Sequence, residues 1–289
     1  MKKIGLLFLL TFIMISCSSD ESSIEEVVVV VEEEEEEEEI PIETRKFISK
    51  IYYESSEDGT NIFNYNYDGN NNLTSIERNE NLVSFFYEEN RIFRMELTDN
   101  ETGDLVKLVS YNYNSDGLLD FYEANINAPR VVKYIYEGDR IVRYYRYSSM
   151  SELNNDNYSF YNDLIYNDDT SNNVIEFKKH NFEGLETSRS TRSFNEFEDK
   201  RYFGEAAELI NLPYADNLFE SFHYYTNNNL KAWRTSLGSD ELILYREYFY
   251  EYDEDGYCTQ LSLVYYSNGS GDIYKTITKT YEYIELEVN

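Results

Sequence analysis

The chain has 289 residues and a formal net charge of −31, from 25 Lys and Arg against 56 Asp and Glu. This acidity repels phosphate backbones, so we expect no nucleic-acid partner, and it disfavours anionic lipid headgroups as an attachment surface. The length suits one large all-β domain or two smaller ones. Thirty tyrosines and only three prolines favour strands.

The chain begins with the pattern of a removable signal peptide, which we assign to residues 1–16. Two lysines precede an apolar run over residues 4–15. That run is too short to span a hydrocarbon core ~30 Å thick. The residues Met-Ile-Ser-Cys at 14–17 resemble the lipobox of bacterial lipoproteins, which implies cleavage before Cys17 and lipidation of its thiol. The alternative is an ordinary secretory signal with an incidental cysteine.

The residues after Cys17 indicate the destination. Ser18 to Glu21 place acid close to the cysteine and resemble the export signals of surface lipoproteins in the Bacteroidota. The resemblance implies a lipoprotein of the outer membrane, lipid-anchored at the cell surface or otherwise on the periplasmic face. With Cys17 lipidated, Cys258 is left without a partner for an intrachain disulfide, and the lipid is the expected membrane contact.

Residues 17–45 are the predicted linker. Five valines and then eight glutamates occupy residues 27–39, and a block of like charge extends a chain. We predict a disordered acidic spacer; the alternative, divalent-ion binding by the glutamates, lacks a defined ligand geometry. Thirteen of the 56 acids and two of the 25 bases precede Arg45, so the rest of the chain holds 43 acids and 23 bases.

The body, residues 46–289, alternates apolar and polar residues with the period of a β-strand. Phe63 to Tyr67 reads Phe-Asn-Tyr-Asn-Tyr, and residues 248–252 alternate in the same way. Only residues 204–211 have a pattern that predicts a short helix. The body is therefore predicted to consist of β-hairpins.

A unit of one hairpin repeats along the body. In each unit a strand ends in an aromatic residue, an acidic or Asn/Gly-rich turn follows, and an apolar residue opens the next strand. The aromatic positions are Tyr67, Tyr87, Tyr113, Tyr136, Tyr166, Phe197, Tyr225 and Tyr252.

These units resemble the YD repeats of RHS-type proteins, which carry Tyr-x-Tyr-Asp, a glycine turn and an apolar residue. Residues 65–69 and 250–256 match that pattern best. The chain resembles more closely the small lipoproteins of the Bacteroidota that are built from such degenerate hairpins, over residues 47–287. This resemblance implies a porin-like antiparallel barrel.

We therefore predict an all-β antiparallel meander of repeated hairpins, folded as a curled sheet or a closed soluble barrel of about 16 strands. An open sheet of that length leaves two edges unpaired, which favours curling or closure. A membrane-embedded barrel needs an apolar outer band, whereas polar residues such as Asn64, Lys133 and Glu251 alternate with the aromatics here.

Residue types that support catalysis are sparse. His180 and His223 are the only histidines, and neither has a metal-ligand spacing or lies in a nucleophile motif. We interpret His223 as a strand residue and Cys258 as a small apolar side chain. Carboxylates are abundant, so a hydrolase with paired carboxylates is an alternative, but we expect no enzyme.

One stretch fits the pattern of a calcium loop. Asn112, Asn114, Asp116 and Glu123 follow the EF-hand order of oxygen ligands around Gly117, although Asn112 replaces the usual aspartate and strands flank the stretch. Because the hairpin repeat already explains this turn, we predict no metal site and no cofactor.

These features predict a non-enzymatic, lipid-anchored binding or scaffold protein of the outer membrane; its ligand is not identified by the sequence, and a glycan and a protein are both open. One alternative is a carbohydrate-binding surface lipoprotein that captures sugars through outward tyrosines or Trp233, because aromatic rings stack on sugar rings. A patch of exposed aromatic side chains on the folded surface would favour that alternative over simple core packing.

Overall fold

The structure is a computed structural model that describes residues 44–125, 129–167, 173–194, 230–236, 242–267 and 271–287. Sixteen antiparallel strands form one closed barrel, in which each strand pairs with its neighbours along the chain and β1 pairs with β16. This confirms the predicted closed all-β barrel of about 16 strands. The strands are β1 (Thr44–Ser55), β2 (Gly59–Tyr67), β3 (Leu73–Arg78), β4 (Asn81–Glu88), β5 (Arg91–Asp99), β6 (Leu105–Tyr113), β7 (Leu119–Asn125), β8 (Arg130–Glu137), β9 (Arg140–Tyr147), β10 (Phe160–Tyr166), β11 (Val174–Asn181), β12 (Glu186–Phe194), β13 (Leu230–Ser236), β14 (Ile243–Tyr252), β15 (Cys258–Tyr266) and β16 (Ile273–Glu287).

The barrel closes through a long pairing between its first and last strands. The register runs from Thr44 opposite Glu287 to Ser55 opposite Ile277. Closure gives every strand two neighbours, so no edge is left unpaired along the sheet. The first strand begins at Thr44, within the segment that the sequence pattern assigns to the linker.

The apolar residues of the strands lie on the inner face of the barrel. Tyr65 on β2 lies opposite Ile76 on β3, which in turn lies opposite Val83 on β4, and all three are buried. Residues that face each other across strands point to the same side of a sheet, so the register carries this buried face around the wall. Its largest fully buried side chains include Tyr122 and Tyr144.

The outer face carries the polar half of the alternation. Lys50 Nζ lies 3.8 Å from the carboxylate of Glu282 on the neighbouring strand, and Arg94 Nε lies 3.3 Å from Glu96. These residues are on the side of the sheet opposite to the buried core. The outer wall thus carries charged groups, and the apolar core lies on the inner face.

One helix that the sequence pattern did not predict, α1 (Met150–Asn154), lies between β9 and β10 and packs on β8 and β9. The Ser149 hydroxyl accepts from the backbone N–H of Glu152 at 3.3 Å, and the Glu152 carboxylate accepts from the N–H of Ser148 at 2.8 Å. These contacts cap the helix at its N-terminus. Within the part of the chain that the structure describes, no helix is long and apolar enough to cross a membrane.

Several predicted features lie outside the described residues. They are the signal peptide, the lipidation site Cys17, the acidic linker up to residue 43, the short helix predicted at 204–211, the repeat aromatics Phe197 and Tyr225, and His223.

Candidate functional site

Five of the repeat tyrosines in the described residues fasten one end of their hairpin to the strand before it. The Tyr67 hydroxyl donates to the backbone carbonyl of Ile48 at 2.7 Å, and the Tyr87 hydroxyl donates to that of Leu73 at 2.9 Å. The same bond joins Tyr113 to Ile92, Tyr136 to Leu119, Tyr166 to Ile141 and Tyr283 to Cys258, at 2.8–2.9 Å. We call these six side chains the clasp tyrosines and this end of the barrel the clasp end.

The clasp tyrosines point into the barrel by ordinary strand alternation, as Tyr67 does two residues after the buried Tyr65. A β-bulge lies in the strand opposite each of five of them, because the register shifts immediately before Tyr67, Tyr87, Tyr113, Tyr136 and Tyr166. The extra residue, such as Thr74 on β3, re-aims the neighbouring apolar residue, here Leu73, toward the barrel interior. Burial raises the pKa of the Tyr67 and Tyr87 phenols, so both stay protonated and able to donate.

The carbonyls that accept from the clasp tyrosines belong to an apolar residue at or next to the start of the neighbouring strand, except for Ile48, which lies inside β1. Leu73 and Cys258 are both fully buried at this position. Cys258 is a free cysteine that takes the place of a leucine or isoleucine in the repeat, as the sequence interpretation of a small apolar side chain expects. The contacts at the clasp end therefore stabilise the fold.

The four residues of the calcium-loop pattern lie at one of the repeated turns. Asn114 Oδ1 accepts from the backbone N–H groups of Asp116 and Leu118, at 3.0 and 2.9 Å. Asp116 is exposed in the turn, and Asn112 and Glu123 lie on the outer face of β6 and β7. The Asn114 oxygen thus serves the turn, and ion binding here stays a prediction. The same side-chain-to-backbone pattern occurs at Asp68, Asn181 and Asp253.

Among the described residues, no three or more His, Cys, Asp or Glu side chains are grouped so that they could hold a metal ion. Cys17 and His223 lie outside those residues. His180, the other histidine, is on the outer face of β11, in a group of aromatic side chains.

This group lies on the outer wall between β9 and β11. The ring of Tyr145 is centred 4.9 Å from that of Tyr158 and 5.5 Å from that of Tyr161. His180 stacks on Tyr161 with 4.6 Å between ring centroids and 7° between planes. All four rings are half-buried, so part of each faces solvent. We call Tyr145, Tyr158, Tyr161 and His180 the outer aromatic cluster.

Charged groups hold the outer aromatic cluster in place. Arg143 Nε lies 2.5 Å from Asp163 Oδ1, and its guanidinium carbon lies 4.4 Å from the centre of the Tyr161 ring. The other Asp163 oxygen lies 3.3 Å from His180 Nε2. Asp163 therefore connects the arginine to the histidine, and the cluster places hydrogen-bonding groups beside aromatic faces.

Trp233 does not belong to the outer wall. It lies opposite Arg192 and Arg246 on the inner face and is only 7% exposed. The expectation that Trp233 could stack on a sugar at the surface is therefore wrong. Partly exposed tyrosines do lie on the outer wall, in the outer aromatic cluster, and sugar capture by them stays a prediction.

The inner face changes character along the barrel. Next to the clasp tyrosines it is lined by apolar and tyrosine side chains such as Ile76 and Tyr122. Farther from them, the register places a set of cations on the inner face, and we call this the basic end. Its cations are Arg78, Lys107, Arg130, Arg146, Lys179, Arg246, Lys275 and Lys279.

Aromatic rings lie against the cations of the basic end. Lys179 Nζ and the guanidinium carbon of Arg146 lie 4.2 and 5.4 Å from the centre of the same ring, Phe160. The guanidinium carbon of Arg246 lies 4.2 Å from the centre of the Tyr265 ring. Contacts of this kind stabilise a partly desolvated cation.

No protein-family model matches this chain, and no curated protein matches it. Solved structures do match. One is a porin-like protein from Bacteroides uniformis ATCC 8492, with a TM-score of 0.54 and 15% sequence identity over 82% of this chain and 98% of that chain. Another is a porin-like protein from Bacteroides vulgatus ATCC 8482, with a TM-score of 0.37 and 9% identity over 82% of this chain and 99% of that one. The first likeness confirms the porin-like barrel fold.

Proposed function

We propose that this protein is a non-enzymatic binding or scaffold module that a lipid on Cys17 holds at the outer membrane, with the barrel itself in water. The observation that carries the proposal is the orientation of the barrel wall. The apolar core of the barrel lies on the inner face, while charged residues are spread among the side chains of the outer face. The signal peptide, lipobox and acidic linker supply the attachment.

The outer wall is unsuited to lipid. Lys133, Arg143 and Glu176 occupy outward positions in the middle of their strands. A charged arginine or lysine on the lipid face of a membrane barrel costs ~2–4 kcal/mol at the bilayer midplane. Acyl chains on Cys17 provide a membrane attachment that needs no contact between the wall and the hydrocarbon.

The replacement Cys17→Ser tests this proposal. We expect the wild-type chain to fractionate with the outer membrane, and the C17S variant to remain in the soluble fraction. The matched control is Cys258→Ala, which changes the other cysteine and leaves the chain with the membrane. If the C17S chain stayed membrane-bound in alkaline carbonate, the barrel would have to be embedded and the proposal would fail.

The outer aromatic cluster supports one finer function, carbohydrate capture at the cell surface. Tyr145, Tyr158 and Tyr161 present part of their rings to solvent, and sugars bind by stacking their C–H faces on such rings. Asp163 and Arg143 lie beside them and can exchange hydrogen bonds with sugar hydroxyls. The same surface combines the two kinds of contact that sugars require.

A glycan array probed with the full-length chain tests this function. We expect Tyr161→Ala to abolish binding to every glycan that the wild type captures. Tyr52→Ala, on the outer face of β1, is the control and retains binding. Loss in both variants, or in neither, would remove the cluster from consideration. Release of reducing ends from a captured glycan would instead favour the hydrolase alternative.

A further inference from the structure

One polar side chain in the barrel interior is left without a hydrogen bond. Asn162 on β10 is fully buried, and among the residues the structure describes neither its amide nitrogen nor its amide oxygen has a partner. It lies opposite Tyr144 on β9 and Lys179 on β11, so its amide is on the inner face. Buried polar groups in proteins are nearly always satisfied, so a buried amide without a protein partner is a candidate contact for a water, an ion or a ligand.

Two cations of the basic end approach the same place. Lys179 lies directly opposite Asn162, and Arg146 lies opposite Phe160, two residues earlier on the same strand. Both cationic groups are near the Phe160 ring, at 4.2 Å for Lys179 Nζ and 5.4 Å for the Arg146 guanidinium carbon. Both side chains are half-buried, so a small solute can reach them from the basic end.

Arg146 adds its positive charge to that of Lys179 at this place. Burial and the charge of Arg146 lower the pKa of Lys179. The inward residues of β9 and β10 are Ile141, Tyr144, Arg146, Phe160, Asn162, Leu164 and Tyr166. The described inner face of these two strands therefore supplies cations and neutral groups to the site. An anion is the ligand that these cations attract.

We propose that Asn162, Lys179 and Arg146 form a binding site for an oxyanion, the carboxylate or phosphate group of a small ligand that enters from the basic end. The ammonium and guanidinium groups donate to the oxyanion, and the Asn162 amide donates to it through nitrogen. The Asn162 oxygen accepts from a hydroxyl or N–H of the ligand. Phe160 and Tyr144 supply aromatic surface for the rest of the molecule. This site is separate from the outer aromatic cluster and does not depend on its role.

Calorimetric titration of the full-length, detergent-extracted chain tests the site. The two probes are inorganic phosphate and acetate, each at constant ionic strength in chloride. We expect saturable binding of at least one probe. Binding of phosphate alone identifies a phosphate site, binding of acetate alone a carboxylate site, and binding of both a general oxyanion site. Absence of saturable binding for both probes would overturn the proposal.

Variants of neighbouring residues give the matched control. Lys178 and Lys179 are adjacent on β11, but Lys178 faces outward, 3.7 Å from Glu176. We expect Lys179→Met to weaken binding at least tenfold and Lys178→Met to change it less than twofold. Asn162→Leu, which keeps the branched shape and the number of heavy atoms and removes the amide, should also weaken binding. Lys179→Arg retains the charge and should retain binding, which separates loss of the site from loss of the fold. Equal losses in the K178M and K179M variants would contradict the proposal.

Discussion

The clasp end and the basic end of the barrel belong to the same strands but follow different rules. At the clasp end hairpin after hairpin repeats a bulge and a tyrosine that donates to a carbonyl, and an Asx turn accompanies them at Asp68, Asn114 and Asp253. At the basic end the connections differ, from the tight turn between β3 and β4 to the connection that contains α1. The comparison indicates that the repeated end maintains the fold, and the binding sites proposed above lie away from it, at the variable end and on the outer wall.

The largest difference in stability between the two ends is expected when one leucine at each end is replaced by alanine. Leu73 is fully buried at the clasp end, whereas Leu105 is 43% exposed where β6 begins. We expect Leu73→Ala to lower the free energy of unfolding by ~2–5 kcal/mol, because it leaves a cavity in a packed core. Leu105→Ala should change it by less than ~0.5 kcal/mol. Guanidinium denaturation measures both, and equal losses would contradict the division of roles.

A smaller effect is expected at the turn that carries the calcium-loop pattern. Asn114→Ala removes the acceptor of two backbone N–H groups and should lower stability by ~1–2 kcal/mol. Asn112→Ala, on the neighbouring exposed position, should stay within ~0.5 kcal/mol. Both melting temperatures are then measured with and without calcium. A calcium-dependent rise in the wild type that Asn112→Ala abolishes would favour the ion site over the turn.

Because the clasp is a hydrogen bond, we expect Tyr87→Phe to lower the free energy of unfolding by about 1 kcal/mol, the net value of a typical hydrogen bond. The hydroxyl is deleted, the ring stays, and the carbonyl of Leu73 loses its donor. Tyr52→Phe on the outer face serves as the control and should be neutral. If both variants were equally stable, the repeated tyrosines would stabilise the barrel only by packing their rings in the core, and their hydroxyl groups would contribute no stability.

The smallest expected effect is a loss of stability at alkaline pH. The folded-state pKa values of Tyr67 and Tyr283 are raised above the ordinary tyrosine value, chiefly by burial. In the unfolded chain these phenols ionise near pH ~10, so the stability they contribute is present below that pH and is lost as pH rises toward the folded pKa. Thermal melts from about pH 9 to pH 11 should show this fall, and the Tyr67→Phe variant should show a shallower one. An unchanged slope would assign the alkaline loss to other groups.

The sequence predicts the strands and their number because both depend on local patterns. Alternation such as that of Phe63 to Tyr67 and the recurrent turn after each aromatic residue are visible within a few residues. Closure is different, because it depends on a pairing between Thr44 and Glu287 at opposite ends of the barrel chain. Local patterns do not distinguish a curled sheet from a closed barrel. Only the long-range register between the first and last strands decides which of the two forms.

The sites were harder to predict for a related reason. Tyr145, Tyr161 and His180 come from three strands, and which of their side chains meet depends on a register that bulges shift. The same dependence placed Trp233 on the inner face, against the expectation. One missed element did leave a local sign: Ser149 followed three residues later by Glu152 is a capping pattern, and it marks the start of α1.

Hydrogen–deuterium exchange of the full-length, detergent-extracted chain, with and without phosphate, tests the division of the barrel most directly. The account predicts that clasp-end peptides around Tyr67 and Tyr113 exchange slowest in both conditions. It also predicts that phosphate slows exchange around Arg146, Asn162 and Lys179 and leaves the clasp end unchanged. Faster exchange at the clasp end than at the basic end, or a phosphate effect spread equally over both, would contradict it.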